Sequence, residues 1–164
     1  GMRMCQAYKE QYGLNAISLM PTNLYGINDN FDLENSHVLP AMIRKFHEAE
    51  DKVTLWGDGT PTRDFLFAED AARGIILAGE KYNDSYPLNL GAQKEISIKE
   101  LANTISRLMN FDGKINWDTT KPNGQPRRCV SNEMAERKIG FVPKISLEDG
   151  LKKVITWHKS QNFS

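Results

Sequence analysis

Short apolar runs and amphipathic stretches alternate along the whole chain. The apolar run at 16–20 (AISLM) predicts a buried strand, and further strands are predicted at 53–56, 63–67, 88–90, 95–97 and 114–117. Helical periodicity predicts helices over about 2–12, 37–49, 69–81, 98–109, 131–140 and 147–159. Because helices and strands alternate in this way, the pattern predicts an α/β fold.

Two helix ends carry specific signals. Ser97 and Glu100 have the spacing of a capping box, in which each side chain binds the other residue's backbone amide, so a helix should begin after Ser97. Gly13 suits the left-handed conformation that ends many helices. The polar, turn-rich segments 21–35 and 119–128 are predicted as loops. A long loop after a strand is a common place for a ligand in α/β folds.

The strand predicted at 16–20 is apolar throughout, which is typical of a strand in a sheet that is covered on both faces. Such a strand needs other parallel strands as neighbours, and too few are predicted before it. We therefore expect the chain to be part of a protein with a larger sheet.

Composition and charge narrow the classes of partner. The 164 residues include 21 Lys and Arg and 21 Asp and Glu with no basic tract, so bulk-charge binding to nucleic acid or to an anionic membrane is not expected. No apolar run approaches the roughly 20 residues that span a bilayer. Cys5 and Cys129 lack metal-binding spacing, so two free thiols in a reducing, cytoplasmic setting are expected.

A complete set of catalytic residues is not recognisable in the sequence. It has no Gly-rich dinucleotide loop, and none of its tyrosines is followed four residues later by lysine. The three histidines, His37, His47 and His158, are not at metal-site spacing, and no metal is predicted. His37 is a candidate general acid because histidine titrates near neutral pH, and a merely exposed histidine is an equally compatible interpretation.

Other residues suit binding. Trp56 follows a predicted strand beside a Gly-Asp-Gly turn, with Arg63 soon after. An indole can stack on a base, and a guanidinium can donate paired hydrogen bonds to phosphate. The residues alone leave open that Trp56 packs in the core, that Arg63 is only solvated and that 121–128 is an ordinary surface loop. Arg44 and Lys45 are adjacent on one helix, so one of them should face only water.

Taken together, these segments resemble one family. Residues 21–26 (PTNLYG), 35–38 (NSHV), 56–63 (WGDGTPTR) and 121–124 (KPNG) are similar in order and spacing to the GDP-L-fucose synthases, which are extended short-chain dehydrogenases of the NAD-dependent epimerase/dehydratase family. The first motif alone would indicate only the broader group, whereas the second and fourth narrow it. The resemblance covers essentially the whole chain and roughly half of a full family member.

The resemblance implies an NADP-dependent enzyme and an active-site histidine. The family converts GDP-4-keto-6-deoxy-mannose to GDP-L-fucose by epimerising two carbons and then reducing a ketone. By resemblance, His37 would touch the nicotinamide end of the cofactor and act as the acid in epimerisation. The other residues implied to border that end are Pro21, Thr22, Asn23 and Leu24.

The resemblance also implies a GDP-sugar site made by Lys45, Trp56, Arg63 and Asn123. Trp56 would lie against the guanosine, and Lys45 and Arg63 would lie nearer the diphosphate. Family members often carry Arg in place of Lys45 and Asp in place of Asn123. Lys lacks the two-pronged guanidinium and Asn lacks the charge, so the exact sugar nucleotide stays open.

The resemblance divides the chain into two parts. Residues 2–35 are expected to be the tail of a dinucleotide-binding domain. Residues 36–164 are expected to be a mixed α/β substrate-binding region, in which 64–91 return to the dinucleotide-binding sheet. In the family, the Tyr-x-x-x-Lys pair and the Gly-rich loop precede the residues that match this chain. We expect the chain alone to be inactive, because cofactor positioning supplies much of the rate.

Other functions remain compatible with the sequence. One is a non-catalytic module that binds a nucleotide sugar, and another is an association module in which helix 2–12 pairs subunits. A different sugar-nucleotide epimerase or dehydratase is a further alternative. The resemblance itself implies a homo-oligomer, a dimer in the full-length family.

Overall fold

The computed structural model describes residues 1–161 of the chain. Its helices are α1 (Met2–Tyr12), α2 (Val38–Glu48), α3 (Ala68–Lys81), α4 (Ile98–Met109), α5 (Glu133–Ile139) and α6 (Leu147–Ser160). Its strands are β1 (Leu19–Pro21), β2 (Asn23–Tyr25), β3 (Lys52–Trp56), β4 (Thr62–Phe67), β5 (Leu88–Leu90), β6 (Glu95–Ser97), β7 (Lys114–Asp118) and β8 (Arg127–Arg128). The predicted mixed α/β fold is confirmed.

Strand β4 connects the parts of the fold that carry ligand-type residues. Its first half pairs antiparallel with β6 and parallel with β8, and its second half pairs parallel with β2. Elsewhere β1 pairs parallel with β5, and β3 pairs parallel with β7 over five residues. The parallel partner expected for the first predicted strand is therefore β5.

Alternation along β4 builds two hydrophobic cores. Phe65 and Phe67 point into a core formed mainly with α2, α4, α6 and β3. Leu66 points the opposite way, into a second core with α3, α5 and β5. Successive residues of a strand face opposite sides, so this short strand supports both cores at once.

The end signals read from the sequence are present in the structure. Ser97 Oγ accepts a hydrogen bond from Glu100 N at 3.1 Å, and Glu100 Oε2 accepts one from Ser97 N at 3.0 Å. Gly13 ends α1 with a φ of 68°, a left-handed conformation that glycine adopts at little cost. The predicted bounds of α4, β5 and β6 match the structure.

Two short strands were predicted as loop. β2 and β8 have three and two residues, too few to produce an alternating pattern, and both form because β4 offers them hydrogen-bonding edges. Helix α5 begins at Glu133, two residues after the predicted start at 131. Asn132 precedes it, and its side chain binds Gly91 by accepting from the amide at 2.7 Å and donating to the carbonyl.

Helix α1 lies on the surface and has no buried residue. Gln6 Nε2 donates to the Ser85 carbonyl at 3.1 Å, and Lys9 Nζ donates to the Asn83 carbonyl at 2.6 Å. These polar contacts attach α1 to the segment before β5, which itself pairs with β1. The division at residue 35 stays a prediction.

Candidate functional site

The predicted cofactor-bordering residues and His37 line one cavity. It has a volume of about 490 Å³ and is walled by 21–29, by His37 at the start of α2 and by Arg128 of β8. His37 is exposed in this cavity. The structure thus brings together all five residues that the resemblance placed near the nicotinamide, although they come from separate segments.

Strand β4 fixes the wall formed by residues 21–24. Thr22 Oγ1 and Asn23 Nδ2 both donate to the Asp64 carbonyl, at 3.1 Å and 2.8 Å. The Thr22 amide donates to the Leu90 carbonyl at 2.9 Å. These bonds hold the two side chains against β4 and β5, so the wall is rigid before any ligand binds.

The carboxyl of Asp64 is fully buried behind this wall. Its Oδ1 accepts from the Ala92 amide at 3.1 Å. Burial raises the pKa of Asp64 above its ordinary value, and backbone hydrogen bonds such as the one from Ala92 oppose that rise. The carbonyl and the carboxyl of Asp64 therefore connect β4 with β2 and with the segment that follows β5.

Trp56 is not part of the core. The side chain is 63% exposed at the end of β3, while Val53 and Leu55 on the opposite face are buried. Lys45 Nζ lies 5.9 Å from the indole ring centroid, and Lys121 Nζ lies 5.6 Å from it. Two cations beside an exposed aromatic ring suit a ligand that has both a flat base and negative charge.

The adjacent cations on α2 have different surroundings. Lys45 Nζ donates to the Thr54 carbonyl at 3.2 Å and stays at the edge of a second cavity, of about 260 Å³, that Trp56 also lines. Arg44 pairs with Glu48 at 2.6 Å and donates to the Phe31 carbonyl at 3.2 Å. The expectation that one of the two faces only water is wrong, because Arg44 braces the segment before α2.

Arg63 and Arg128 face each other across paired strands β4 and β8. Arg63 Nη1 donates to the Thr62 carbonyl at 2.8 Å. Burial lowers the pKa of Arg63, and the charge of Arg128 lowers it further. The ion pairs among residues 1–161 include neither arginine. Two adjacent guanidiniums without an acidic partner attract an anion.

Arg127, the neighbour of Arg128 in sequence, is used differently. Its Nε lies 3.0 Å and 2.9 Å from the two carboxylate oxygens of Glu95. These hydrogen bonds, with one from Thr62, lower the pKa of Glu95 to about 2. Arg127 thus ties β8 to β6, which leaves Arg128 on the side of the cavity.

Asn123 contacts the turn after Trp56. Asn123 Oδ1 accepts from the Asp58 amide at 2.8 Å, and a Cβ added at Gly57 would collide with that oxygen. The next residue, Gly124, lies beside Arg63, because a Cβ there would be 3.8 Å from Arg63 Nη2. The predicted role of Asn123 as a substrate contact remains a prediction.

These contacts connect neighbouring residues in one series, which we call the binding strip. It begins at Trp56 beside Lys45 and Lys121 and continues through the turns that follow β3 and β7, where Asp58 contacts Asn123. It then passes Arg63 and Arg128 and ends at the His37 cavity. The strip therefore presents an aromatic face, then cations, then a histidine that can exchange a proton.

Sequence reasoning missed three residues of the strip. Lys121 follows a turn, Arg128 adjoins another arginine and Asp58 occupies a turn, so each has an ordinary surface explanation. A signal for Arg128 exists in the doublet Arg127-Arg128, because neighbouring strand residues face opposite sides. Its pairing with Arg63, however, requires the register of β4 and β8.

Other site types find no support within residues 1–161. No group of three or more His, Cys, Asp or Glu side chains is placed to hold a metal ion there. The same residues contain no helix that is both long and apolar enough to cross a membrane. Cys5 and Cys129 are both free thiols, as the spacing predicts.

Comparison with known proteins identifies relatives. Residues 1–91 match the NAD dependent epimerase/dehydratase family. The chain is 50% identical over 157 residues to GDP-L-fucose synthase of Sinorhizobium fredii, a match covering 93% of this chain and 50% of the relative. The corresponding figures for GDP-L-fucose synthase 1 of Arabidopsis thaliana are 45%, 96% and 50%. The chain spans about half the length of these curated relatives.

Solved structures share the fold. A GDP-L-fucose synthetase from Naegleria fowleri bound to NADP superposes with a TM-score of 0.87 at 31% identity, covering 96% of this chain and 51% of that one. A GDP-6-OMe-4-keto-L-xylo-heptose reductase from C. jejuni superposes with a TM-score of 0.91 at 28% identity, with coverages of 98% and 58%. Both of these structures are named for GDP-linked sugars.

Proposed function

Because the chain belongs to the NAD dependent epimerase/dehydratase family, we propose that it is the GDP-sugar-binding portion of an NADP-dependent GDP-L-fucose synthase-like epimerase/reductase. The observation that carries the proposal is the binding strip, in which Trp56 is linked to the His37 cavity through the 121–124 loop, Arg63 and Arg128. Its order of chemical groups matches the order of base, diphosphate and sugar in a GDP-sugar.

We assign the nucleotide to the Trp56 end of the strip. The exposed indole offers a stacking face for guanine. Lys45 and Lys121 lie beside the indole, where their ammonium groups would neutralise phosphate charge. Arg63 and Arg128 would hold the diphosphate between them, because an anion there relieves the repulsion of two facing guanidiniums. Asn123 would complete the contact from the loop that follows β7.

The sugar would lie in the His37 cavity, where it meets the nicotinamide end of NADP. Residues 21–24 form a rigid wall there, and about 490 Å³ suits a sugar ring with one end of a dinucleotide rather than a whole dinucleotide. The reduced cofactor, NADPH, would when bound supply the hydride that reduces a ketone. His37 would hold the proton that returns to the sugar carbon during epimerisation.

The 164 residues alone should bind without turning over substrate. They contain no Tyr-x-x-x-Lys pair and no Gly-rich dinucleotide loop. The 164 residues should therefore not oxidise NADPH in the presence of GDP-4-keto-6-deoxy-mannose. Measurable turnover would reject the prediction that they are inactive alone. We also propose a cytoplasmic location, since two free cysteines suit a reducing compartment.

Calorimetric titration with GDP tests the proposed binding. We expect the wild-type chain to bind GDP, and Arg63→Ala to weaken binding about tenfold, because a charge-assisted hydrogen bond contributes about 1.5–3 kcal/mol. Arg127→Ala is the matched control, since Arg127 already pairs with Glu95. Absence of heat at millimolar GDP, or equal losses in both variants, would reject the assignment.

A second function, self-association through α1, rests on a different observation. α1 has no buried residue and exposes Met4, Tyr8 and Tyr12. We propose that a second copy covers this face, giving a homo-oligomer. Light scattering at high protein concentration should report more than a monomer, and Tyr12→Ser with Met4→Ser should reduce the mass. A wild-type monomer would refute it.

A further inference from the structure

Strands β3 and β7 end in the same kind of turn. Asp58 Oδ1 accepts from the Thr60 amide and hydroxyl at 2.9 Å and 2.7 Å, and Asp118 Oδ1 accepts from those of Thr120 at 3.1 Å and 2.5 Å. The two strands are paired in register, with Trp56 opposite Asp118. Two aspartate-capped turns therefore leave the sheet side by side, and both belong to the binding strip.

The two turns are joined at the base and at the tip. At the base, the Asp118 carbonyl accepts from the Gly57 amide at 2.9 Å and from the Lys121 amide at 3.2 Å. At the tip, the Asp58 amide donates to Asn123 Oδ1 at 2.8 Å. The loop after β7 thus folds back over the turn after β3 and is held there by a side chain.

The side-chain amide of Asn123 complements Asp58 in two ways. Its oxygen accepts a hydrogen bond from the Asp58 backbone amide, and the same side chain lowers the pKa of the Asp58 carboxyl. The pKa of Asp58 is lowered chiefly by the hydrogen bonds from Thr60 and then by the Asn123 side chain. A carboxylate at position 123 could accept from the same amide, yet it would face a second carboxylate with no proton to share.

We propose that Asp58 is a positioning residue of the nucleotide site and acts through Asn123. This inference rests on the proposed nucleotide site. The Asp58–Asn123 contact holds the loop so that Lys121 lies over Trp56 and Gly124 lies beside Arg63. Asp58 itself touches no part of the nucleotide in this arrangement. Asn123 thus serves the site by holding Asp58, in addition to the ligand contact proposed for it.

A reciprocal exchange of the two side chains tests this role. Asn123→Asp should weaken GDP binding about tenfold at pH 7, because it replaces a hydrogen bond by facing charges. Adding Asp58→Asn should restore affinity to within about threefold of wild type, since the exchanged pair can again share a proton. Asn116→Asp on β7 is the charge-matched control and should leave affinity unchanged. Failure of the double exchange to restore affinity would overturn the proposal.

Amide hydrogen exchange separates this inference from the proposed function, because it needs no nucleotide. In Asn123→Ala, exchange of the Asp58 amide should accelerate about fivefold, whereas that of the Gly57 amide, bonded to the Asp118 carbonyl, should not change. If the Asp58 amide exchanges faster in Asn123→Ala but the wild-type chain does not bind GDP, only the nucleotide site is rejected. Unchanged exchange at Asp58 would reject the positioning role even if GDP binds.

Discussion

The two ends of the molecule that face ligands are built very differently. Strands β3 and β7 pair over five residues above a core that includes Leu55. The loops that follow them are joined by hydrogen bonds from the Gly57 and Asp58 amides. At the α1–β1 end, α1 buries nothing and β1 pairs over three residues. The proposed nucleotide end is therefore held by contacts within the chain, whereas α1 and β1 make fewer such contacts.

This difference in packing leads us to expect different requirements for binding GDP and for binding the cofactor. Trp56 lies on β3 and Arg63 lies on β4, and the strands paired with each of these hold their backbones before any ligand binds. Groups at the cofactor end, such as residues 21–24, are held by β4 and present one rigid wall of a cavity. We expect GDP recognition to persist without cofactor, and cofactor recognition to need more than these residues.

The largest effect should come from the core beneath the nucleotide end. Leu55→Ala should lower the free energy of unfolding by about 2–5 kcal/mol, because it opens a cavity under Trp56. Met4→Ala, on the 62% exposed side chain of α1, should change it by less than about 0.5 kcal/mol. Urea unfolding measures both, and equal losses would erase the contrast between the two ends.

A smaller effect should distinguish the two neighbouring arginines. Arg128→Met should weaken GDP binding about fivefold while leaving the melting temperature unchanged or raised, because it removes the repulsion from Arg63. Arg127→Met should lower the melting temperature through loss of the Glu95 pair and leave GDP affinity intact. If Arg127→Met instead weakened GDP binding in calorimetry and Arg128→Met lowered the melting temperature, the roles assigned to the two arginines would be wrong.

The smallest effect concerns pH and a buried histidine of α6. Burial lowers the pKa of His158 below its usual 6.5, and the charges of His47 and Arg44 lower it further, against Glu48. As the pH falls, the unfolded chain therefore binds the proton before the folded chain does. The contribution of His158 to the free energy of unfolding is fully present above about pH 6.5 and is lost as the pH falls through the folded-state pKa. His158→Leu should flatten this decline in urea titrations at several pH values, and an unchanged decline would contradict the prediction.

Local patterns in the sequence predicted much of the fold. The capping box located the start of α4, and Gly13 located the end of α1, because both signals depend on neighbouring residues alone. β2 and β8 escaped prediction because two or three residues carry no period, and only pairing with β4 makes them strands. The position of Trp56 outside the core likewise depended on which face of β3 the sheet covers.

The candidate site divides in the same way. The family resemblance placed His37 and residues 21–24 together, and the structure brings them to one cavity. It gave no indication of the Arg63–Arg128 pair or of the Asp58–Asn123 contact, which join residues 65 positions apart. Register and loop folding create these contacts, so sequence spacing could not reveal them.

Nuclear magnetic resonance of the labelled chain during addition of GDP, without any cofactor, would locate the nucleotide directly. We expect saturable shifts at the Trp56 indole, at Arg63 and Arg128 and across the 121–124 loop, with α1 unaffected. Shifts that are absent, or that fall on α1 instead of the binding strip, would contradict the proposed nucleotide site.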